Sequence, residues 1–198
     1  MAIKWGSTVV TAVKWGSTNC TKVYWGSTFV FPGGTITYNG SSFTSPLSGF
    51  YTTYPSTVNG STKQNISSGV LKTAVYRTSS SLSEISSRWS TNEGNFNYTV
   101  NLSSYTSIRI AYTVTGTNNA TGRVYGIYRK LNTYGGNLNI SGTVSNNICT
   151  VNLSGAEYLT SAVYFGINYT HDFSNCATTA TGTGTYSIIT ITEIIFVK

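Results

Sequence analysis

The sequence predicts an all-β protein in which a short N-terminal arm of three β-repeats precedes an antiparallel β-sandwich. Three observations predict this class. A ten-residue unit recurs three times at the start of the chain, apolar and polar residues alternate with period two after residue 70, and no stretch shows a helical period. Roughly seven to nine strands joined by Gly, Asn, Ser and Thr turns are typical of jelly-roll and immunoglobulin-like sandwiches.

The repeated unit contains the tetrapeptide Trp-Gly-Ser-Thr, which begins at Trp5, Trp15 and Trp25. These residue types favour strands and turns, so each copy is predicted to form two short strands joined by a turn. About thirty residues bury too little apolar surface to fold alone. We therefore expect residues 1–31 to pair with copies of themselves or with a partner surface. The alternative is that this arm completes the core of its own sandwich. The predicted anchoring residues are Ile3, Trp5, Val10, Val13, Trp15, Val23, Trp25 and Val30.

The arm also carries a family resemblance. Its runs Val-Lys-Trp-Gly-Ser-Thr and Val-Tyr-Trp-Gly-Ser-Thr-Phe-Val-Phe resemble segments of tailed-phage virion proteins, including fibre and capsid-decoration proteins of gut, crAss-like phages. The resemblance covers residues 3–31 and carries no catalytic residue. It implies a non-enzymatic capsid decoration or head-fibre subunit of the virion, with capsid or fibre-base proteins as partners. The expected assembly is a homo-oligomer, with a trimer favoured over a dimer. The third copy departs at Tyr24, where the first two have Lys, and Cys20 replaces a Val.

The amino-acid composition limits the kinds of partner that the protein could bind. Only 9% of the 198 residues are charged, against about a quarter in ordinary domains. The formal net charge is +7, and no Asp or Glu precedes Glu84, so the N-terminal part would be attracted to an acidic surface. The cations stand singly and no nucleic-acid-binding motif accompanies them, so no nucleic-acid partner is expected.

Targeting signals are not evident in the sequence. Met1 leads within two residues into the first repeat, and no apolar run approaches the ~20 residues of a membrane span. We therefore expect a protein that is made in the host cytoplasm, has no membrane partner and resides in the virion.

The segment 32–69 is rich in turn signals such as Asn39-Gly40 and Asn59-Gly60, but it also contains five aromatic residues. We expect it to connect the arm to the sandwich and to lie on the surface of that domain with one or two short strands. The sandwich itself is predicted to span residues 70–198.

Alternation is clearest at 96–102 and 108–114. A strand at 124–129 contains Gly126, which favours a bulge there. The last predicted strand, 186–197, is apolar on both faces and should therefore be central and covered. Further strands are predicted around 138–140, 149–153 and 163–169.

Residues that could carry chemistry are few. His171 is the only histidine, and beside Asp172 it is interpreted as part of a loop-tip pair. Glu84 and Glu93 flank Trp89 and form the best place for a pair of glycosidase carboxylates, although surface solvation explains them equally well. Nothing clusters as metal ligands do, so no metal, no cofactor and no enzymatic activity are expected.

Two cysteines of the predicted sandwich bear on its thiol chemistry. Cys149 lies on the apolar face of a predicted strand and should be buried. Cys176 lies in a polar loop and is expected to be a free thiol.

A sugar-binding surface is the alternative function. Tyr and Trp side chains on a β-surface can stack on sugar rings while Asn side chains hydrogen-bond the hydroxyls. In this interpretation the chain is a tail-fibre or receptor-binding module whose sandwich binds a surface glycan. A third interpretation, a small hydrolase, is ranked far below the other two. The candidate glycan contacts are Trp89, Tyr125, Tyr128, Tyr134 and Tyr164.

Overall fold

A computed structural model describes backbone and side chains for residues 34–50, 70–91, 97–130, 138–154 and 162–198. It describes the backbone alone for the strand residues at 4–5, 8–9, 14–15, 18–19, 23–25, 28–31, 51–53, 61–65 and 137. These residues form strands and turns, and no helix occurs among them. The predicted all-β class is confirmed.

The arm contains one antiparallel hairpin per repeat, as predicted. The same two positions of the repeat pair in all three hairpins: Trp5 with Thr8, Trp15 with Thr18 and Trp25 with Thr28. The strands are β1 (Lys4–Trp5), β2 (Thr8–Val9), β3 (Lys14–Trp15), β4 (Thr18–Asn19), β5 (Val23–Trp25) and β6 (Thr28–Phe31).

Thirteen further strands among the described residues build the sandwich. They are β7 (Gly34–Tyr38), β8 (Tyr51–Thr53), β9 (Ser61–Asn65), β10 (Lys72–Arg77), β11 (Glu84–Ser90), β12 (Val100–Asn101), β13 (Ser107–Gly116), β14 (Thr121–Lys130), β15 (Asn137–Ser141), β16 (Thr143–Ser145), β17 (Ile148–Asn152), β18 (Ala162–Asp172) and β19 (Tyr186–Val197).

Two antiparallel sheets pack together into a β-sandwich. The seven-stranded sheet has the order β16-β17-β13-β19-β10-β9, and β7 also pairs with β19. The six-stranded sheet has the order β15-β14-β18-β11-β8, and β12 also pairs with β18. The core between them contains Trp89, Ile110, Phe165, Ile191 and Phe196, all 0% exposed.

The last strand, β19, is central, as its two apolar faces predict. It pairs with β13 along its length, while β10 and then β7 occupy its other side. Ile191 and Ile194 are buried in the core, and Ile195 is buried although it follows Ile194 on the opposite face. Full pairing on both sides satisfies the backbone of a strand too apolar to lie at an edge.

The segment 32–69 departs from its prediction, because it contributes to both sheets instead of lying on the surface of the sandwich. Strands β7 and β9 join the seven-stranded sheet and β8 joins the six-stranded sheet. Tyr38, Leu47 and Phe50 are buried in the core, and the Tyr38 hydroxyl accepts a hydrogen bond from the Leu71 N–H at 2.9 Å. The sandwich therefore begins at Gly34 rather than at residue 70.

On one side of the sandwich, two consecutive strands belong to different sheets. Strand β15 lies in the six-stranded sheet and β16 in the seven-stranded sheet, and only Gly142 separates them. The Gly142 N–H donates to the Tyr125 carbonyl at 2.9 Å. A Cβ at this position would lie 2.5 Å from Cys149 Sγ, so the close approach requires glycine.

The strand registers define two ends of the sandwich. At the end that we call proximal, Gly34 pairs with Val197, so the chain enters the sandwich beside its C-terminal strand. At the opposite, distal end, Tyr76 pairs with Tyr186. The loops 78–83, 117–120 and 173–185 lie at the distal end, because each connects strand termini found there.

Candidate functional site

The predicted anchoring residues lie in or beside the repeat hairpins. Trp5, Trp15, Val23, Trp25 and Val30 are strand residues. Their side chains fall outside the described residues, as do Ile3, Val10 and Val13 entirely. The contacts of the arm therefore stay a prediction, while the matching hairpin register supports treating the three copies as equivalent units.

Two of the predicted glycan contacts are in fact buried. Trp89 is 0% exposed, and its indole packs against Tyr169 with ring centroids 4.2 Å apart. Tyr128 is 2% exposed, and the Arg88 guanidinium covers its ring at 4.3 Å from the centroid. The prediction for Trp89 and Tyr128 is wrong, because neither ring has a face open to a sugar.

The other predicted glycan contacts have different placements. Tyr125 is half-buried at a β-bulge, where the register of β14 against β18 shifts between Val124 and Gly126. This confirms the bulge predicted at Gly126. Tyr164 is half-buried in β18, and Tyr134 lies outside the described residues.

The single histidine is a buried strand residue and not part of a loop tip. His171 lies in β18, and its Nδ1 is 2.9 Å from the Ser187 hydroxyl oxygen. The Ser187 hydroxyl donates its only proton to the Thr121 carbonyl at 2.6 Å. Ser187 must therefore accept from His171, which fixes a proton on Nδ1. In this polarity the imidazole cannot act as a base towards Ser187.

The described carboxylates make local hydrogen bonds. Glu84 is exposed and accepts from the hydroxyls of Thr170 at 2.9 Å and Ser86 at 3.3 Å. Asp172 accepts from the Ser174 hydroxyl at 2.6 Å and the Ser174 N–H at 2.8 Å. These bonds hold the pKa of Asp172 below its ordinary value. Glu93 lies outside the described residues, so the predicted carboxylate pair stays untested.

Cys149 is buried as predicted, and burial raises the pKa of its thiol to about 11. Cys176 is a free thiol, as predicted, but it is buried in a small cluster with Val75 and Phe173. Cys149 belongs to the main core. Among the described residues, no group of three or more His, Cys, Asp or Glu is placed to hold a metal ion.

A buried arginine organises the distal end. Arg77 is 4% exposed and donates only to backbone carbonyls: to Leu82 at 3.0 Å, Ser80 at 2.7 Å, Ala177 at 2.8 Å and Ala180 at 3.1 Å. These acceptors belong to the loops 78–83 and 173–185. One guanidinium thus holds two loops together at the end of the sandwich opposite Gly34.

Beside this arginine lies a feature that the sequence analysis missed. Tyr76 and Tyr186 face each other across β10 and β19, half-buried, with ring centroids 6.0 Å apart. The Thr117 hydroxyl donates to the Gly184 carbonyl at 2.6 Å and accepts from the Tyr186 N–H at 3.1 Å. The Asn118 amide donates to the same carbonyl at 3.3 Å. No local sequence signal predicts this pair, because the two tyrosines meet only through the register of β10 against β19.

No protein-family model matches the chain, and no curated protein matches it. Within the described ranges, the structure contains no helix long and apolar enough to cross a membrane.

Proposed function

We propose that the chain is a non-enzymatic structural protein of a phage virion, a capsid decoration or head-fibre subunit held in place by its N-terminal repeats. One observation carries the proposal: three hairpins with matching register precede a sandwich that starts at Gly34. A short motif repeated in one conformation can present the same contact several times, which raises the overall strength of attachment without any new kind of contact.

The two ends of the sandwich support this division of roles. The arm leads into Gly34 at the proximal end, and the loops held by Arg77 lie at the distal end. A subunit attached through its arm would therefore direct these loops away from the attachment point. Partners are proposed to be other virion proteins and further copies of the chain, with a trimer favoured over a dimer.

A structural role also fits the described side chains that most resemble catalytic groups. His171 donates to Ser187 and is 0% exposed, so this pair stabilises the contact between β18 and β19. Glu84 and Asp172 accept hydrogen bonds from neighbouring hydroxyls. We therefore expect Glu84→Gln and His171→Ala to leave assembly unchanged wherever the protein stays folded. A loss of turnover on a glycan by either variant would contradict the non-enzymatic role.

Particle association tests the anchoring role. In a host that produces the chain together with phage, the full-length protein should co-sediment with particles, and a chain without residues 1–31 should remain in the supernatant. Co-sedimentation of the truncated chain would overturn the proposal. If the truncated chain no longer folds by near-ultraviolet circular dichroism, the arm belongs to the sandwich and the proposal is equally wrong.

Single substitutions in the repeats refine the test. If each indole is buried on assembly, Trp5→Ala, Trp15→Ala or Trp25→Ala should each cost about 3–5 kcal/mol per anchor and sharply reduce occupancy. Lys4→Ala and Lys14→Ala should cost about 0–1 kcal/mol, and their effect should shrink at high salt. Trp emission should shift to the blue on assembly. Unchanged, acrylamide-quenched emission would mean that the indoles face water.

A second candidate function is a receptor-binding module that attaches to a surface glycan. It is favoured by the placement of hydrogen-bonded loops at the distal end, where Arg77 and the Asn118 amide bond the 173–185 loop to the sandwich. Long loops held on a rigid scaffold commonly carry binding. This function is compatible with anchoring by the arm.

A further inference from the structure

The pair Tyr76 and Tyr186 lies on the outer face of the seven-stranded sheet. In β10 and β19 the residues next to these tyrosines, Val75, Arg77 and Ser187, are all buried. Because neighbouring side chains in a strand point to opposite faces, the two phenol rings point away from the core. Both residues are half-buried, so part of each remains accessible.

Hydrogen bonds hold the backbone around the two rings. The Tyr186 carbonyl accepts from the Thr117 N–H at 3.1 Å, and the Tyr186 N–H donates to the Thr117 hydroxyl at 3.1 Å. Arg77 donates its backbone N–H to the Thr185 carbonyl at 2.9 Å. The Asn118 amide donates to the Thr185 hydroxyl at 2.8 Å. A ligand would therefore meet a backbone already held in place and would bear little cost of ordering it.

Among the described residues, the hydrogen-bonding groups beside the rings are uncharged. Within the described residues, the hydroxyls of Tyr76 and Tyr186 make no hydrogen bond, and the Asn118 side-chain oxygen accepts none. The nearby Arg77 guanidinium is buried and donates to four backbone carbonyls. Phosphates and carboxylates are usually bound by an exposed cation, and the described groups of this surface offer none, so these groups favour a neutral ligand over nucleic acid or an acidic sugar.

We infer that Tyr76, Tyr186, Thr117, Asn118 and Gly184 form a binding surface for a neutral glycan, which we call the distal tyrosine surface. Pyranose rings present C–H faces that stack on phenol rings and hydroxyls that both donate and accept. Two rings are too small a patch for a protein partner, which usually buries about 800 Å² on each side. The inference deepens the second candidate function and does not depend on the arm.

Glycan arrays with the full-length chain test this surface. The probes are neutral gluco-, manno- and galacto-configured oligosaccharides and matched oligosaccharides that contain uronic acids. The wild-type chain should retain neutral probes. Tyr76→Ala and Tyr186→Ala should each weaken binding by about tenfold, as is typical of an aromatic residue at the centre of a contact. Tyr76→Phe keeps the aromatic ring and should weaken glycan binding less than Tyr76→Ala does.

Matched variants separate binding from stability. Tyr105→Ala removes a half-buried tyrosine at the proximal end, where the neighbouring Thr106 N–H donates to the Val197 carbonyl, and should leave binding unchanged. A Cβ at Gly184 has no atom within 4 Å, so Gly184→Gln should obstruct the surface without disturbing the fold. Near-ultraviolet circular dichroism checks that each variant is folded.

Three results would overturn the inference. Unchanged binding in Gly184→Gln and in the folded tyrosine-to-alanine variants would mean that the two rings only stabilise the sheet, as cross-strand pairs do. Binding of uronic-acid probes alone would refute the ligand class, although a glycan-binding function would survive. Binding of no probe would remove the receptor-binding candidate as well, while the proposed anchoring role would stand on its particle-association test.

Discussion

At the scale of single residues, Arg77 illustrates how the chain satisfies a buried charge without an acid. Four backbone carbonyls surround its guanidinium, and they come from two loops that have no regular secondary structure of their own. The four carbonyl oxygens together stabilise the positive charge of the guanidinium. The same hydrogen bonds fix the path of both loops. The residue therefore couples the stability of the sandwich to the order of its distal end.

Arg77→Met should destabilise the protein substantially, because the substitution keeps the volume but removes every donor. The bond to the Leu82 carbonyl is buried, and leaving a buried carbonyl unsatisfied costs about 1–3 kcal/mol. The carbonyls of Ser80, Ala177 and Ala180 are part-buried, so losing their bonds should cost less. Urea denaturation measures the free energy of unfolding, and hydrogen exchange at Gly182 and Thr185 reports opening of the 173–185 loop. Arg123→Met at an exposed position is the control, with an expected change within about 0.5 kcal/mol. Equal effects of the two variants would contradict the role of Arg77.

Asp172 should make part of the stability depend on pH. Hydrogen bonds from the hydroxyl and the N–H of Ser174 lower its pKa from the ordinary 3.8, and Arg123 adds to this effect. A lowered pKa contributes stability that is present above the unfolded value and is lost as pH falls through the folded value. Asp172→Asn keeps the side-chain acceptor but removes the charge. The wild-type protein should have a higher melting temperature than this variant at neutral pH. The difference should shrink as the pH falls below 3.8 and vanish below the folded pKa. A constant difference across this range would contradict the assignment.

At the scale of elements, three strands end in the same way. Asn101, Asn152 and Asp172 each follow or end a strand and accept hydrogen bonds from the N–H and hydroxyl of the serine two residues later. The residue between is apolar and 0% exposed in every case: Leu102, Leu153 and Phe173. This Asx turn stops the strand and returns one apolar side chain to the core. Two of the three copies also read as Asn-X-Ser sequons, and the turn explains them without glycosylation.

The passage from β15 to β16 depends on Gly142. A Cβ there would lie 2.5 Å from Cys149 Sγ and 3.0 Å from the Thr150 carbonyl oxygen. Gly142→Ala should therefore cost about 1–3 kcal/mol through overpacking. The control is Gly184→Ala, where a Cβ meets no atom within 4 Å and the melting temperature should hardly change. Thermal denaturation of both variants tests the prediction, and equal melting temperatures would show that the corner tolerates a side chain.

At the scale of the whole molecule, the extent of the sandwich can be tested by truncation. Residues 34–198 contain both complete sheets, so this fragment should fold with a cooperative thermal transition and a near-ultraviolet signal. Residues 70–198 lack β7, β8 and β9 together with the buried Tyr38, Leu47 and Phe50. This shorter fragment should be unfolded or molten. Native packing in the shorter fragment would mean that the domain folds without the segment 34–65.

Much of this architecture was accessible from local sequence pattern. The alternation at 108–114, the bulge at Gly126, the buried Cys149 and the central strand 186–197 were all predicted and are confirmed. Each depends on side chains close together along one strand, where period two alone separates the core face from the other face. The repeat hairpins were predictable for the same reason, because pairing within ten residues is local.

Only the tertiary structure shows the strand pairings and the burial that depend on residues far apart in the sequence. Turn signals in 32–69 concealed three strands that become stable by pairing with β19, β11 and β10. Trp89 was predicted to be a glycan contact and His171 part of a loop-tip pair, but both side chains are 0% exposed. Tyr76 and Tyr186 are separated by 110 residues and meet only through the register of β10 against β19. Sheet pairing between remote segments sets which aromatic rings are buried and which reach the surface, and a local pattern contains no record of that pairing.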